Sequence, residues 1–450
     1  MSSTSLRPAA VALLLAASAA CGTRLPDSAF TAPSSAPTGS ATQTPATSAP
    51  GVTARTITIG TIASLTNPFD AAAFAGPGYG LRAFVDDINR SGGVNGRRLV
   101  LEQCDDGGSA ERNVSCVHQL IEQDHVFALV SSAVLDYAGA QTVNDAGVPD
   151  IGAEPIDLAY TKYPHLWDVS GESYPRNGEI GWHGRLHGGT ETYRFFKQDY
   201  PDVPLRAGVV YFNQSSSKAY ADSITKGLRQ EGYTVVSAQV NFALPDYDSV
   251  AIKFRHAGVR YVYDAIDRLG NERLCKAMDA NDLLVTAKVS TTQAWNADVR
   301  SDYRDSPRCR NSLYVTGGTR SYDATGDPQV QRFRQAMARL GWDRPNTMSE
   351  WALEGWAGAQ WFADAAASCG QALSRACVER YMKRPTPYDG HGLLLPRSFA
   401  VGTASLAPHR SCLNVARWSD GANAGRGGWV EQVADMTRNC FVVPSVAYRP

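Results

Sequence analysis

Beyond residue 55, the apolar residues of the chain alternate between two spacings, one typical of buried strands and one typical of helices. The segments RTITIGTIASL and RRLVLEQC are rich in apolar and β-branched residues and predict strands. Between them, an apolar face predicts a helix that the glycines of SGG end; its residues are Leu81, Phe84, Val85 and Ile88. A second helix, NVSCVHQLIEQD, leads into the apolar strand HVFALVSS. This alternation indicates βαβ units and a parallel sheet that helices cover on both faces.

The same pattern restarts in the second half of the chain. RAGVVYFNQ predicts a strand, and the strands YTVVSAQVNF, VRYVYDAI and LLVTAKVST follow with helices between them. A late helix, EGWAGAQWFADAAASCG, and the short strands NVARWSD and GWVEQVA complete the series. The restart predicts two successive α/β lobes, with YTKYPHLWDVSGESYPRNGEIG as a crossing segment between them.

The first residues have the pattern of an export signal. One basic residue, an apolar run and small residues lead to Cys21, and the run is too short to span a bilayer permanently. Small residues before a cysteine resemble a bacterial lipobox, although Ser18 stands where that pattern has leucine. Residues 1–21 are therefore predicted to be a lipoprotein signal peptide with Cys21 as the lipidated residue; cleavage after Ala19 is the alternative. Residues 22–54, rich in Ser, Thr, Pro and Ala, predict a flexible tether to the membrane.

The nine cysteines support an oxidising compartment. If Cys21 carries lipid, the other eight fall along the chain as four neighbouring couples. We predict four local disulfides, Cys104/Cys116, Cys275/Cys309, Cys369/Cys377 and Cys412/Cys440. None of the couples has the two-residue spacing of a zinc knuckle.

Composition and motifs narrow the function classes. A net charge of −1 provides no broad basic face, so we expect no nucleic-acid partner. The sequence has no GxSxG, HExxH, Walker A or GxGxxG motif, and we predict neither an enzyme nor a bound cofactor. His183 and His187 are four residues apart, but no third ligand lies nearby in the sequence, and we predict no metal site.

Candidate binding residues follow the predicted strands. In open parallel α/β sheets, ligands bind beyond the carboxyl ends of the strands, where loops and helix N-termini present free amides. In the first lobe this selects 64–69, Ser131, Ser132, Ala153 and Glu154. In the second lobe it selects 264–268 and 291–295.

Three stretches carry a family resemblance. In order and spacing, FAGPGYGLRAFVDDINRSGGVNGRRLVLEQCDD, LIEQDHVFALVSSAV and AGVPDIGA resemble the type I periplasmic solute-binding proteins of the branched-chain amino acid (Leu/Ile/Val-binding) ABC transporter family. The resemblance implies two Rossmann-like α/β lobes with parallel sheets, joined by three crossing strands, that close on a small ligand. It also implies ABC permease subunits as partners, and we expect a monomer.

The resemblance adds roles for individual residues. It implies that Ser132 and the neighbouring Ser131 and Ala133 hold a ligand carboxylate, and that Ala153 and Glu154 add backbone donors. In the second lobe, Asp264, Asp267 and Thr292 are candidates, and Tyr79 is a candidate for stacking. The acid that pairs with a ligand ammonium in the family is missing after TAKVS, where this chain has Thr291, Thr292 and Gln293. The ligand is therefore left open among amino acids, amides, organic acids and aromatic compounds.

These candidates have structural alternatives. Ser131 and Ser132 could cap the following helix. The aromatic residues Tyr79, Trp295 and Tyr322 could belong to the core instead of to a binding site.

Each of the two lobes is predicted to combine two separate segments of the chain. Lobe 1 is predicted at 55–176 plus 322–385, and lobe 2 at 177–321 plus 386–450. The predicted function is that of an extracytoplasmic, lipid-anchored substrate-binding protein of an ABC importer. The alternative is a receptor of the same fold that reports the ligand to a signalling partner, and a cell-wall enzyme is the third reading.

Overall fold

The computed structural model describes residues 49–68, 70–153, 158–170, 175–182, 184–187, 189–400 and 409–447. The predicted signal segment 1–21 with Cys21, most of the predicted tether, Glu154 and His183 lie outside the described residues.

Within these described residues, the strands belong to two large sheets and two small ones. In chain order they are β1 (Thr56–Ala63), β2 (Arg98–Asp105), β3 (Ala128–Val130), β4 (Asp150–Gly152), β5 (Leu166–Asp168), β6 (Arg185–His187), β7 (Arg206–Phe212), β8 (Thr234–Val240), β9 (Tyr261–Ala265), β10 (Ala287–Ser290), β11 (Leu313–Gly317), β12 (His409–Cys412), β13 (Asn414–Ser419), β14 (Gly428–Glu431), β15 (Cys440–Val443) and β16 (Ser445–Ala447).

The helices alternate with the strands through most of the chain. They are α1 (Ala71–Arg90), α2 (Ala110–His118), α3 (Ala140–Asp145), α4 (Ala159–Lys162), α5 (Glu191–Asp199), α6 (Ser215–Gln230), α7 (Tyr247–His256), α8 (Arg268–Ala280), α9 (Val299–Asp302), α10 (Pro307–Arg310), α11 (Pro328–Arg339), α12 (Glu350–Ser368), α13 (Arg375–Met382) and α14 (Ala422–Gly425). A π-helical stretch, Gln119–Gln123, extends α2, and Thr292–Ala294 and Gly390–Gly392 form short 3₁₀ turns.

The first large sheet is parallel and has the order β2-β1-β3-β4-β5. Ile57 and Ile59 of β1 pack in one core cluster with Phe84 of α1 and Trp356 of α12. Ile62 is an odd number of residues away in the same strand, so its side chain points to the other face of the sheet. There it packs in a second cluster with helix α2. Helices therefore cover both faces of the sheet, as the alternating pattern predicted.

Helices α1 and α12 approach each other closely because glycines lie where they cross. A Cβ on Gly80 would lie 1.7 Å from the backbone oxygen of Ala352, and one on Gly355 would lie 2.1 Å from that of Pro77. Only glycine permits this approach of two backbones. The contact fixes α12, which comes late in the chain, against the first lobe.

The second large sheet has the order β14-β13-β11-β10-β9-β7-β8. Strands β7 to β11 are parallel, whereas β13 and β14 are antiparallel to their neighbours. Strands β13 and β14 correspond to the predicted short strands NVARWSD and GWVEQVA. The structure thus contains the two α/β lobes that were predicted.

The chain passes between the two sheets after β5, between β11 and α11, and between α13 and β13. Two of these passages pair with each other. Thr319 and Leu394 form an antiparallel bridge, Arg320 N donates to Leu393 O at 2.8 Å, and Leu395 N donates to Gly318 O at 2.7 Å. Two α/β lobes with multiple chain passages confirm the predicted fold class.

All four predicted disulfides are present. Cys104–Cys116 joins β2 to α2, Cys275–Cys309 joins α8 to α10, Cys369–Cys377 joins the end of α12 to α13, and Cys412–Cys440 joins β12 to β15. Each bond links neighbouring elements of one local unit, so the neighbouring couples in the sequence predicted the connectivity correctly.

Residues 49–54, at the end of the predicted tether, lie against the first lobe. Val52 is buried, and Gly51 O accepts a hydrogen bond from Thr58 N at 2.8 Å. Arg97 Nε donates to Thr53 O at 3.0 Å. The part of the chain that packs on the first sheet therefore includes these residues.

Among the residues described, no helix has both the length and the apolar character that crossing a membrane requires.

Candidate ligand-binding cavity

A cavity of about 810 Å³ lies beyond the carboxyl ends of β7, β9, β10 and β11. Phe212, Asp264, Ser290 and Thr316, one residue from near the end of each strand, line it. This edge of a parallel sheet is where open α/β folds bind ligands, because the loops diverge there. Its volume falls in the range of about 300–1,000 Å³ that is usual for small-molecule sites.

Of the described residues of the first lobe, two also line the cavity. Leu135 follows β3, and Trp351 lies in the first turn of α12. Trp351 Nε1 donates a hydrogen bond to Thr292 Oγ1 of the second lobe at 3.1 Å. Next to it, Glu350 N donates to Trp295 O at 2.8 Å. The cavity thus lies where the two lobes meet.

One wall of the cavity is apolar and largely aromatic. Phe212 and Phe242 meet edge to face with their ring centroids 5.1 Å apart, and Tyr193 and Tyr263 do so at 5.2 Å. Tyr220, which lines the same wall, is 52% exposed. Burial raises the pKa of Tyr193 and Tyr263 well above the usual value, so both hydroxyls stay protonated. This wall fits the apolar body of a ligand.

A second set of lining residues carries neutral polar groups, and some of them, such as Thr192 beside Tyr193, adjoin the aromatic residues. Its members are hydroxyl and amide side chains: Thr192, Gln214, Ser217, Ser290, Thr291, Thr292, Gln293 and Thr316. Thr192 Oγ1 and Thr316 Oγ1 are 3.1 Å apart. Ser217 Oγ accepts from Phe212 N and donates to Ala265 O. Such groups orient a ligand by hydrogen bonds and bring no net charge.

The floor of the cavity contains a buried ion pair. Asp264 in β9 and Lys288 in β10 are joined by a 2.5 Å contact between Oδ2 and Nζ. Asn271 of α8 donates from Nδ2 to Asp264 Oδ1 at 3.0 Å and accepts from Lys288 Nζ at 2.6 Å. The side chain of Lys288 is 0% exposed. Two charges at this depth persist only because each has a charged partner and further hydrogen bonds.

Asp267 reaches the edge of the cavity but is engaged in the helix that follows it. Its Oδ1 accepts a hydrogen bond from Gly270 N at 2.6 Å and caps the N-terminus of α8. The structure therefore brings Asp264, Asp267 and Thr292, the three candidates of the second lobe, to one cavity.

The predicted residues of the first lobe lie behind this surface. Ser131 Oγ donates to Gly355 O of α12 at 2.7 Å, and Ser132 Oγ accepts from Ile62 N at 3.3 Å. Both serines are buried and lie outside the set of residues that line the cavity. Their hydroxyls bond to other elements instead of capping α3, and their role in binding stays a prediction.

The remaining candidates are also buried or packed elsewhere. Ala133 bridges Ala63 of β1, and Ala153 N donates to Ser132 O at 3.3 Å. Tyr79 packs edge to face on Trp342 at 5.0 Å. Trp295 and Tyr322 are fully buried, which fits the alternative that places them in the core. Glu154 lies outside the described residues.

Lys288 and Trp351 were not among the candidates. The signal for Lys288 was a lysine inside the apolar strand of LLVTAKVST, because a lysine that is fully buried needs a partner. Trp351 comes from a helix that is distant in sequence from every strand end of the cavity, and the sequence carries no local sign of that proximity.

A metal site finds no support in the described part of the chain. Groups of three or more His, Cys, Asp or Glu side chains placed to hold a metal ion do not occur among those residues.

The fold and the cavity define a class, that of two-lobed proteins that bind a small molecule where the lobes meet. A model of the family described as "Periplasmic binding protein" matches residues 56–423. The match covers most of the chain, and the chain belongs to this family. The family is one of binding proteins, and the disulfides of this chain fit its extracytoplasmic setting.

Two curated relatives are similar over part of their length. An amino acid binding protein of Pseudomonas aeruginosa is 22% identical over 223 residues, which are 46% of this chain and 56% of that protein. The Leu/Ile/Val-binding protein BraC3 of Rhizobium johnstonii is 41% identical over 66 residues, which are 14% of this chain and 17% of that protein. The matched region thus spans about half of the first relative and much less of the second.

Solved structures match over nearly their whole length. A branched-chain amino acid transporter substrate-binding protein of Streptococcus pneumoniae, in complex with isoleucine, has a TM-score of 0.63 at 15% identity, covering 84% of this chain and 100% of that one. A solute-binding protein of an ABC transporter from R. palustris, in complex with benzoate, has a TM-score of 0.62 at 13% identity, covering 87% and 98%. A fatty acid ABC transporter substrate-binding protein of Thermomonospora curvata has a TM-score of 0.62 at 16% identity, covering 88% and 97%. These likenesses establish the fold.

Proposed function

We propose that the protein is the extracytoplasmic substrate-binding lipoprotein of an ABC importer and captures a small solute between its two lobes. The observation that carries this proposal is the cavity at the carboxyl ends of β7, β9, β10 and β11, which Leu135 and Trp351 of the first lobe complete. A site built from both lobes links the presence of a ligand to the arrangement of the lobes.

The paired chain passages provide the hinge for this mechanism. Gly318 and Arg320 of one passage hydrogen-bond to Leu395 and Leu393 of the other, and these strands can bend together. A ligand that contacts Thr292 on one side and Trp351 on the other favours the arrangement in which both contacts exist. Its binding energy drives closure, because only the differential contact between open and closed states shifts the equilibrium.

The lipid anchor is supported by the cysteine count. Eight of the nine cysteines form the four disulfides, which leaves Cys21. A lipid on Cys21 and the Ser/Thr/Pro/Ala-rich segment after it would tether the binding lobes near a membrane permease. Such a tether raises the effective concentration of the binding protein at its partner.

The relatives indicate the range of solutes to test. Their names and structures include amino acids, isoleucine, benzoate and fatty acids. A cavity lined by aromatic side chains and by hydroxyl and amide groups accommodates a solute with an apolar body and a polar end.

A thermal-shift screen of the full chain against amino acids, amides, organic acids and aromatic acids tests the binding role. At least one solute should raise the melting temperature, because a ligand of the folded state stabilises it by mass action. Trp351→Leu should abolish that shift. Trp342→Leu, a change of the same kind in a tryptophan that packs on Tyr79, is the matched control and should retain it. If no solute in the panel raises the melting temperature, the proposed function is wrong.

Transport and anchoring need cellular experiments. Deleting the gene should abolish uptake of the radiolabelled solute that binds, and restoring it should recover uptake. Cys21→Ala should release the protein from the membrane fraction. Normal uptake in the deletion strain would contradict an importer role.

A further inference from the structure

The acid at the floor of the cavity has both of its oxygens occupied from within the protein. Asp264 Oδ2 receives Lys288 Nζ at 2.5 Å and Ser290 Oγ at 3.2 Å, and Oδ1 receives Asn271 Nδ2 at 3.0 Å. The carboxylate is buried beneath the cavity with the lysine beside it. Three of the about four acceptor positions of this carboxylate are therefore taken, and Lys288 neutralises its charge, so Asp264 offers little to a cation in the cavity.

Lys288 is saturated in the same way. An ammonium group has three donors, and these go to Asp264 Oδ2, Asn271 Oδ1 at 2.6 Å and Ser290 Oγ at 3.0 Å. The cluster of Asp264, Asn271, Lys288 and Ser290, the floor cluster, is thus closed on itself. The lysine serves to neutralise the acid and does not reach the ligand.

The second carboxylate of the cavity is a weak partner for a cation. Asp267 Oδ1 caps α8 through Gly270 N, and the carboxylate already interacts with the positive end of that helix. The other described residues that line the cavity are neutral polar or apolar. A cationic group that entered would lose its hydration and would meet one carboxylate that Lys288 neutralises and a second that already caps a helix through Oδ1.

From these contacts we infer that the site selects solutes without a cationic amino group, namely aromatic or aliphatic organic acids and their amides, and that Lys288 is the residue that determines this selectivity. The inference rests on the proposed function and narrows it. The aromatic side chains hold the body of the solute, and the hydroxyl and amide side chains hold its polar end. A free amino acid is disfavoured because its ammonium would meet a floor whose negative charge Lys288 has already cancelled.

Matched solutes that differ only in the amino group test the inference. Hydrocinnamate corresponds to L-phenylalanine, and isocaproate corresponds to L-leucine, in each case with the ammonium replaced by hydrogen. Isothermal titration calorimetry on the full chain in detergent gives the ratio of affinities for each pair. We expect the solute without the ammonium to bind at least about tenfold more tightly in one pair or both, a ratio that corresponds to about 1.4 kcal/mol.

Substitutions at the floor cluster test the role of Lys288. Lys288→Met removes the neutralising charge and leaves Asp264 free to attract a cation, so the affinity ratio should move about tenfold or more toward the amino acid. The double variant Lys288→Met/Asp264→Asn removes both charges and should return the ratio to the wild-type side. Lys288→Gln, which keeps a donor near Asn271, replaces Lys288→Met if that variant does not fold.

The outcomes separate this inference from the proposed function. If L-phenylalanine or L-leucine binds as tightly as its counterpart, or more tightly, the inference is wrong and the proposed function stands. An unchanged ratio in Lys288→Met contradicts the role of Lys288. If neither these four solutes nor any member of the wider panel binds, the inference and the proposed function both fail.

Discussion

Each lobe buries an aspartate in a strand of its central sheet, and the two are stabilised differently. Asp150 of the first lobe, in β4, accepts hydrogen bonds from the hydroxyls of Tyr137 and Tyr160, the latter at 3.1 Å. Burial raises the pKa of its carboxyl to about 7. Asp264 of the second lobe, in β9, has a lysine instead, with 2.5 Å between the charged atoms.

The difference shows how a buried acid can be neutralised by a proton or by a partner. A proton is released again as the pH rises, whereas the lysine neutralises the acid as long as both residues keep their charges. The Asp264–Lys288 pair lies at the floor of the cavity, where it determines the net charge that a solute meets. Asp150, by contrast, is not among the described residues that line the cavity.

The largest effect is expected from breaking the pair in the second lobe. Lys288→Met leaves Asp264 buried without its cation, and loss of one member of a buried pair costs about 3–5 kcal/mol. Urea denaturation should show this loss in the free energy of unfolding. The double variant with Asp264→Asn should recover most of it. If the free energy of unfolding of Lys288→Met falls by well under about 1 kcal/mol, the buried pair contributes as little as a salt bridge on the surface.

The acid of the first lobe makes stability depend on pH. Its pKa is about 7 when folded and about 3.9 when unfolded. Between these values the unfolded chain has lost a proton that Asp150 keeps in the folded chain, so the contribution of Asp150 to stability falls as the pH rises from about 4 to about 7 and then levels off. Asp150→Asn should flatten this slope in thermal unfolding measured against pH. Asp145→Asn, on exposed α3, is the control and should keep it. An identical slope in Asp150→Asn would show that Asp150 is not its source.

Substitutions of the serines after β3 test whether other residues of the first lobe contribute to binding in addition to Leu135 and Trp351. Ser132→Ala should weaken binding of the identified solute by about 1–2 kcal/mol if the hydroxyl holds a buried carboxylate in the closed state. Isothermal titration calorimetry on the wild type and Ser132→Ala measures this difference in affinity. Ser131→Ala, which removes the hydroxyl that donates to Gly355 O, should lower the free energy of unfolding by about 1 kcal/mol. Unchanged affinity in Ser132→Ala would assign its hydroxyl to the Ile62 amide alone.

The smallest effect is expected at one of the hydrogen bonds between the lobes, that from Trp351 to Thr292. Thr292→Val keeps the shape of the side chain and removes the acceptor of Trp351 Nε1. Binding of the identified solute should weaken by about 1 kcal/mol, because a neutral hydrogen bond contributes about that much. The comparison variant is Thr161→Val on α4, outside the cavity, which should leave affinity unchanged. If Thr292→Val binds the solute as tightly as the wild type, the hydrogen bond between Trp351 and Thr292 does not contribute to binding.

Much of the fold could be predicted because its signals are local. The apolar face of Leu81 and Phe84 and the β-branched run before Ser64 each predict one element, and the alternation of elements implies the parallel sheets. The disulfide couples were predictable for the same reason, since each bond joins elements that are close in sequence.

The site could be predicted only in part, because its decisive contacts depend on which strands are neighbours. Asp264 and Thr292 follow strands and were identifiable by position. Lys288 meets Asp264 across 24 residues only because β10 pairs with β9, with Lys288 opposite Val262. Trp351 reaches Thr292 because the glycines of α1 and α12 fix α12 on the first lobe.

A crystal structure of the chain with the best solute from the thermal-shift screen tests the central claim most directly. We expect the solute to lie in the cavity between Trp351 and the turn after β10, with its apolar body against Phe212 and Tyr193. The Asp264–Lys288 pair should remain intact beneath it. A solute bound outside this cavity, or one that contacts a single lobe, would contradict the account.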